Sequence, residues 1–131
     1  MLDKSKIEEI CNHINDPIPP SMFKSYIDLL VKKGYFCKKG NVIEPTGKFL
    51  DTFEYLMEKT MDIMVQYQEK SFQIFLIVSS LMFALVVTDN PADAGRITRI
   101  IFCFVTQNTK SFMPELERIY QQEVERMGGY A

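Results

Sequence analysis

Residues 23–50 read FKSYIDLLVKKGYFCKKGNVIEPTGKFL, and the order of features in this stretch decides the fold. Its first part has apolar residues at three- and four-residue spacing, which is typical of a helix with one buried face, and Gly34 provides a helix stop. Two short apolar runs then flank a turn that contains Gly40, which predicts a β-hairpin. Thr46 follows and can cap the start of another helix. The stretch therefore predicts a helix, a β-hairpin and a second helix, in that order.

The rest of the chain predicts more helices. Pro20 suits the first turn of the helix that ends before Gly34, because the N–H that proline lacks would have no helical partner there. Ser5 and Glu8 fit a capping box at the start of an earlier helix. The spacing of apolar residues predicts further helices over residues 3–15, 47–69, 72–87, 92–107 and 114–128. The sequence thus predicts a mainly α fold with one short hairpin.

Composition and motifs argue against several classes of protein. The formal net charge is −2, but residues 1–50 carry +2 and residues 51–131 carry −4. The chain has one histidine and no GxGxxG, P-loop, HExxH or GxSxG motif, so we expect neither an enzyme nor a bound cofactor. Its three cysteines lack zinc-ligand spacing, so we expect no metal site. Free thiols, together with a charged and polar start that is unlike a secretory signal, predict a cytoplasmic protein.

The segment Phe72–Val87, FQIFLIVSSLMFALVV, is apolar on every side of a helix. Its sixteen residues span about 24 Å, less than the roughly 30 Å hydrocarbon core, so we predict a buried helix rather than a membrane span. The other helices of one small chain can hardly cover it, so we expect a homodimer that buries it between two copies. The predicted dimer-interface residues are Phe72, Phe75, Leu76, Val78, Leu81, Met82 and Leu85.

The functional prediction rests on polar residues of the helix over residues 21–33 and of the hairpin tip. A helix followed by a basic hairpin is typical of proteins in which the helix enters the major groove of DNA while lysines pair with phosphates beside it. The helix lacks Arg, Asn and Gln on its polar side, and these are the side chains that read base edges best. The expected DNA-contacting residues are Ser21, Lys24, Ser25, Lys32, Lys38 and Lys39.

Two motifs in this part of the chain resemble the archaeal winged helix-turn-helix transcriptional regulators. FKSYIDLLVKKGYF is similar to the end of that family's recognition helix, and KKGNVIEPTGKFLDTF is similar to its wing and the helix that follows. The matching residues are Tyr26, Ile27, Asp28, Leu29, Leu30, Lys33, Gly34 and Tyr35 in the first motif, and Thr46, Gly47, Lys48, Phe49 and Leu50 in the second. The resemblance covers about residues 5–57 and implies a recognition helix over residues 21–33 with a two-stranded wing whose tip is residues 38–41.

The sequence therefore predicts a winged-helix DNA-binding module over residues 1–57 and a C-terminal helical dimerisation region over residues 58–131. We expect a transcriptional regulator that binds double-stranded DNA as a homodimer. The resemblance implies two helices before the recognition helix, but only residues 3–15 predict one, so either a helix is lost or a C-terminal helix takes its place. Two other functions stay open: a degenerate winged helix that assembles with proteins and binds no DNA, and a membrane-associated protein held by Phe72–Val87.

Overall fold

Six helices and one β-hairpin make up the part of the chain that the computed structural model describes, residues 3–67, 71–107 and 113–126. In chain order they are α1 (Lys4–Cys11), α2 (Pro20–Lys32), β1 (Phe36–Lys39), β2 (Val42–Pro45), α3 (Gly47–Gln66), α4 (Phe72–Val87), α5 (Pro91–Gln107) and α6 (Met113–Arg126). The two strands are antiparallel, with Phe36 opposite Pro45 and Lys39 opposite Val42. The prediction of a mainly helical chain with a hairpin between two helices is confirmed.

The residues predicted to begin or end the helices and to form the hairpin turn have the expected backbone conformations. Pro20 is the first residue of α2, and both Gly34 at its end and Gly40 in the hairpin turn have positive φ, at 85° and 64°. Thr46 caps α3, because its hydroxyl accepts a hydrogen bond from the Phe49 N–H. These positions could be read from the sequence because each depends on local backbone chemistry.

Two helix ends differ from the prediction. The cap of α1 is Asp3, whose carboxylate accepts the Lys6 N–H at 2.8 Å, so the Ser5–Glu8 capping box does not form. This helix ends at Cys11 rather than residue 15, and irregular turns lead from it to Pro20. Helix α3 ends at Gln66, and the predicted extension over residues 68–69 lies outside the described residues.

The start of α3 is tied to the end of α2 across the hairpin. The Thr46 hydroxyl donates a hydrogen bond to the Gly34 carbonyl at 2.6 Å, and the Lys48 ammonium donates one to the Lys33 carbonyl at 2.7 Å. The carbonyls at the end of a helix have no partner within the helix, so these contacts satisfy groups that α2 leaves free. The hairpin is thereby held in a fixed position between the two helices.

A C-terminal helix, α5, packs against α1 and contacts α2. Gly95 permits the close approach, since a Cβ at this position would lie 2.7 Å from the Ile10 carbonyl oxygen and 2.7 Å from the His13 Cβ. The Tyr26 hydroxyl of α2 donates a hydrogen bond to the Asp93 carboxylate of α5 at 2.6 Å. Helix α5 thus contacts both helices that precede the hairpin.

One hydrophobic core crosses the predicted boundary between residues 57 and 58. The boundary falls inside α3, which continues to Gln66 without interruption. Phe36 of the hairpin packs on Phe104 of α5 with ring centroids 4.8 Å apart, and Phe49 of α3 packs on Phe83 of α4 at 4.9 Å. The two predicted parts therefore share their interior and do not form separate cores.

Helix α4 lies between α3 and α5 of the same chain. Its residues Phe75, Leu76 and Leu81 are buried without any second copy, which corrects the expectation that one chain could hardly cover this helix. Its Ser79 hydroxyl donates to the Thr60 hydroxyl of α3 at 3.1 Å in the interior. Across residues 3–67, 71–107 and 113–126, no helix combines the length and the apolar character that crossing a membrane requires.

Candidate functional site

The six residues expected to contact DNA are all exposed. Helix α2 turns Tyr26, Ile27 and Leu30 toward the core, which leaves the opposite side of the helix in solvent. The exposed positions on α2 are Ser21, Lys24, Ser25 and Lys32, and those on the hairpin are Lys38 and Lys39. The helical pattern in the sequence thus placed the exposed side of α2 correctly.

Asp28 joins the lysine of α2 to the lysine of the hairpin. Its carboxylate accepts hydrogen bonds from the Lys24 ammonium at 2.9 Å and from the Lys38 ammonium at 2.8 Å. The hydrogen bond from Lys38, followed by that from Lys24, lowers the pKa of Asp28 below its ordinary value. Sequence reasoning missed Asp28 as the partner of these two lysines. Its four-residue spacing from Lys24 was a visible signal for one pair, but the contact with Lys38 depends on how the hairpin folds back.

The other exposed lysines of this surface differ in their partners. Lys39 pairs with Glu44 across the hairpin at 3.2 Å, and the hydrogen bond from Lys39 to Glu44 raises the pKa of Lys39. Lys32 has no ion pair with any described residue. The surface therefore contains both paired and unpaired cations.

We define the lysine face as the exposed side of α2 together with the hairpin, within residues 20–48. These residues include six lysines and two carboxylates, a formal charge of +4, whereas the rest of the chain has nine Lys or Arg and fifteen acids, a formal charge of −6. Positive charge is thus concentrated on one part of an acidic molecule. Such a concentration attracts polyanions at low ionic strength.

An apolar cleft of about 330 Å³ adjoins the lysine face, between α2, the hairpin and α5. Its apolar walls are Phe23, Ile27, Phe36, Ile43, Ile100 and Phe104. The sequence placed Phe23 in the apolar stripe of α2, but its side chain is 43% exposed because it borders this opening. The cleft could not be predicted from sequence, since residues far apart in the chain form it.

Only part of the predicted dimer surface is available on the outside of the molecule. Phe75, Leu76 and Leu81 point inward, and Phe72 is half-buried against the Tyr120 ring, with ring centroids 5.0 Å apart. The three remaining predicted residues, Val78, Met82 and Leu85, are half-buried toward the other side of α4. Met82 and Leu85 also pack against the core there, and the Met82 sulfur accepts a hydrogen bond from the buried Thr60 hydroxyl at 3.3 Å.

That other side of α4 forms an apolar surface that the sequence analysis identified only in part. We define the outward face of α4 as Ile74, Ile77, Val78, Met82, Leu85 and Val86. Val86 is 47% exposed and Ile74 is 40% exposed, and neither residue was predicted. At about 100° per residue, Ile74, Val78, Met82 and Leu85 fall on one side of the helix, with Ile77 and Val86 at its opposite edges, and none of the six is charged.

A polar junction connects α5 to α2 and to the turn after α1. Arg96 donates to the Tyr26 hydroxyl at 3.3 Å and lies 3.4 Å from an Asp16 carboxylate oxygen. Burial, followed by the hydrogen bond with Asp93, raises the pKa of Tyr26. Each of these residues contacts another residue of the same junction, which holds α5 in place, and the buried Arg96 Nε has no hydrogen-bond partner among the described residues.

Within the described residues, no group of His, Cys, Asp and Glu is arranged to hold a metal ion, and Cys11, Cys37 and Cys103 form no disulfide. Comparisons of the chain with protein-family models, with curated proteins and with solved structures found no match.

Proposed function

We propose that the protein is a winged-helix transcriptional regulator that binds double-stranded DNA as a homodimer. In this proposal α2 is the recognition helix and the β1–β2 hairpin is the wing. The order helix, helix, hairpin, helix supports the assignment, and α5 supplies the additional helix that the N-terminal part of the sequence lacks. The likeness of two sequence motifs to winged-helix regulators points to the same function.

The observation that carries the proposal is the joining of α2 and the hairpin into one lysine face. The ammonium groups of Lys24 and Lys38 lie near each other because both contact the Asp28 carboxylate, at 2.9 and 2.8 Å. A recognition helix in the major groove and a wing beside it must face the same duplex, and this contact gives them a common direction. The formal charge of +4 on residues 20–48 supplies the attraction for phosphate.

Asp28 limits the affinity that this surface can reach. When Lys24 and Lys38 pair with phosphates, the Asp28 carboxylate loses its partners and lies near negative charge. We therefore expect Asp28→Asn to bind duplex DNA more tightly than the natural chain at low salt. The direction of this effect is opposite to that of any substitution which merely damages the fold.

Duplex binding is tested by fluorescence anisotropy of a labelled duplex at about 50 and 200 mM salt. Six phosphate contacts give a slope of log K against log salt of about −5, so affinity should fall about a thousandfold over this range. Lys24→Glu and the double variant Lys38→Glu/Lys39→Glu should each weaken binding and flatten the slope by about one unit for each lost contact.

Lys4→Glu is the matched control, because it makes the same charge change at an exposed lysine away from the lysine face. Lys4 lies by the Gln66 end of α3, whereas Lys48 at the other end of this 20-residue helix contacts α2. The two ends of this 20-residue helix are about 30 Å apart, so Lys4 lies far from the contact between Lys48 and α2. If Lys4→Glu weakens binding as much as Lys24→Glu does, general charge rather than the lysine face governs the interaction and the proposal is wrong.

The outward face of α4 is the proposed dimer interface. A two-fold axis brings the same patch of both copies together, so an uncharged apolar face can pair with itself without leaving a buried charge. Such a dimer would have to present its two recognition helices about 34 Å apart, one turn of DNA. Val86→Asp should convert the dimer to a monomer, as measured by light scattering, with unchanged helical circular dichroism.

Val42→Asp is the control for this experiment, since Val42 is also an exposed valine, at 57% against 47% for Val86, and lies on the hairpin rather than on α4. This variant should remain a dimer. A natural chain that is monomeric at about 100 μM, far above the dissociation constant of a stable dimer, would contradict the proposed interface.

A second function, a winged helix that assembles with other proteins, is favoured by the ion pairs of the lysine face. Lys24, Lys38 and Lys39 all have carboxylate partners on the same surface, and a carboxylate at the centre of a DNA-binding face opposes phosphate. Absence of salt-dependent duplex binding in a chain that forms a stable assembly would support this function over the first.

A further inference from the structure

The cleft between α2, the hairpin and α5 has the size and lining of a small-molecule site. Its volume of about 330 Å³ lies within the range of about 300–1,000 Å³ that is usual for ligand pockets. Three phenylalanines and three isoleucines make up its apolar walls. Phe36 and Ile27 form a buried floor, whereas Phe23 at the edge is 43% exposed.

The polar groups around the cleft restrict what can occupy it. The described residues that line it include no charged side chain, and its polar side chains are the Cys103 thiol and the Gln107 amide. A polypeptide segment would bring a row of N–H and C=O groups into the cleft, and these two side chains cannot satisfy them. A charged ligand would lose water without gaining a counter-charge. Flat aromatic walls favour a planar apolar molecule with one polar atom.

We propose that this cleft binds a neutral aromatic molecule of about the size of indole, with its ring between Phe23 and Phe104. An N–H or O–H group on such a ligand would point toward Cys103 and Gln107, where the cleft has its hydrogen-bonding groups. Binding would cover the exposed part of Phe23.

The position of the cleft gives binding a consequence for the lysine face. A ligand would contact Ile27 of α2 and Ile43 of the hairpin at once, and the distance between these elements sets the separation of Lys24 from Lys38. This regulatory consequence rests on the proposed DNA-binding function, whereas binding in the cleft does not. If DNA and ligand are coupled, each must change the affinity for the other by the same factor.

Binding is tested with indole itself, by NMR of the full chain labelled at isoleucine δ1 methyl groups. The methyls of Ile27, Ile43 and Ile100 should shift together along one saturable curve, with a dissociation constant on the order of 1 mM for a ligand of this size. The methyl of Ile77, which lines a neighbouring cleft that has Cys103 in common with this one, serves as the reference and should not follow that curve.

Phe23→Ala removes one wall of the cleft and should weaken indole binding about tenfold. The control is Tyr55→Ala, which removes another exposed aromatic side chain from α3, outside the cleft, and should leave the dissociation constant unchanged. Three results would overturn the proposal: no saturable shift, a shift centred on Ile77, or equal indole affinity in Phe23→Ala and the natural chain. Shifts of the same methyls on raising the protein concentration without indole would instead assign the cleft to a second copy.

Duplex binding is measured separately with and without indole. Shifts of the cleft isoleucine methyls without any duplex binding would support the ligand site and contradict the DNA-binding function. Duplex binding without methyl shifts would do the reverse, so the two proposals fail independently.

Discussion

Helices α2 and α4 differ in whether their sequences show which side is buried. In α2, apolar and polar residues alternate at helical spacing, and the buried residues are the aromatic Tyr26 and the aliphatic Ile27 and Leu30. In α4 the pattern gives no direction, and its Ser79 and Ser80 are fully buried while Ile74 and Val86 are exposed. Polarity therefore assigns the faces of α2 correctly but does not distinguish those of α4.

The reason lies in how the two serines of α4 are satisfied. The Ser80 hydroxyl donates to the Leu76 carbonyl at 2.7 Å, and that of Ser79 donates to Thr60 at 3.1 Å. A hydroxyl that bonds to its own helix or to a neighbouring hydroxyl is buried at little cost, and its small size allows neighbouring helices to pack closely. In α4, the inward side therefore combines large apolar side chains with small hydroxyl-bearing ones, and polarity alone does not select it.

The largest predicted effect tests this contrast with one phenylalanine from each helix. Phe83→Ala should lower the free energy of unfolding by about 3–5 kcal/mol, because Phe83 on α4 is fully buried among the rings of Tyr35, Phe49 and Phe53. Phe23→Ala, on α2, should cost only about 1 kcal/mol, since its side chain is 43% exposed. Urea denaturation of both variants, at unchanged m-value, measures the difference. Equal costs would mean that one of the two helices is oriented differently from the structure described here.

Features set by local chemistry were predictable from the sequence, and features set by distant contacts were not. Gly34, Gly40 and Thr46 marked the ends of elements because each position needs a particular backbone angle or cap. The lysines of α2 and the hairpin were also assigned to the exposed surface correctly. Asp28 was missed as their common partner because it lies ten residues before Lys38 in the chain.

Distant contacts also limited what the sequence could predict about the C-terminal region. The division at residue 57 was inferred from the end of the family resemblance, but Phe36 and Phe49 pack on rings from α5 and α4. Hydrophobicity alone cannot tell whether a helix is covered by its own chain or by a second copy. Phe75, Leu76 and Leu81 were therefore placed in an interface although they point inward.

The second prediction concerns α5, the helix on which both α1 and α4 pack. Gly95→Ala should destabilise the protein by about 1–2 kcal/mol, because the added Cβ would lie 2.7 Å from the Ile10 carbonyl oxygen and α1 must move away. Part of the steric cost is offset by the better helix propensity of alanine. The effect is measured by urea denaturation and should be smaller than that of Phe83→Ala.

Gly47→Ala is the control for this substitution, since a Cβ at Gly47 would meet no atom within 4 Å. It should be neutral within about 0.5 kcal/mol or slightly stabilising. If both glycine variants behave alike, α5 does not approach α1 as closely as the structure indicates, and the assignment of α5 as the additional helix loses its support.

The smallest predicted effect concerns the contact that joins α2 to the hairpin. Lys38→Gln should raise the pKa of Asp28 toward its ordinary value more than Lys24→Gln does, because the hydrogen bond from Lys38 is the larger cause of the lowered pKa. A carboxylate whose pKa is lower in the folded state stabilises the fold above its unfolded pKa of about 3.9, and this contribution is lost as the pH falls through the folded value. The effect on stability is small because both partners are partly exposed, so the measurement is an NMR titration of the Asp28 carboxyl carbon below about pH 5.

The pKa of Asp28 thus reports whether the hairpin contacts α2, whereas the outward face of α4 has no titrating group that could serve in the same way. An Asp28 pKa that neither lysine substitution moves would mean that the hairpin does not rest against α2 in solution, and the lysine face would then divide into two independent patches.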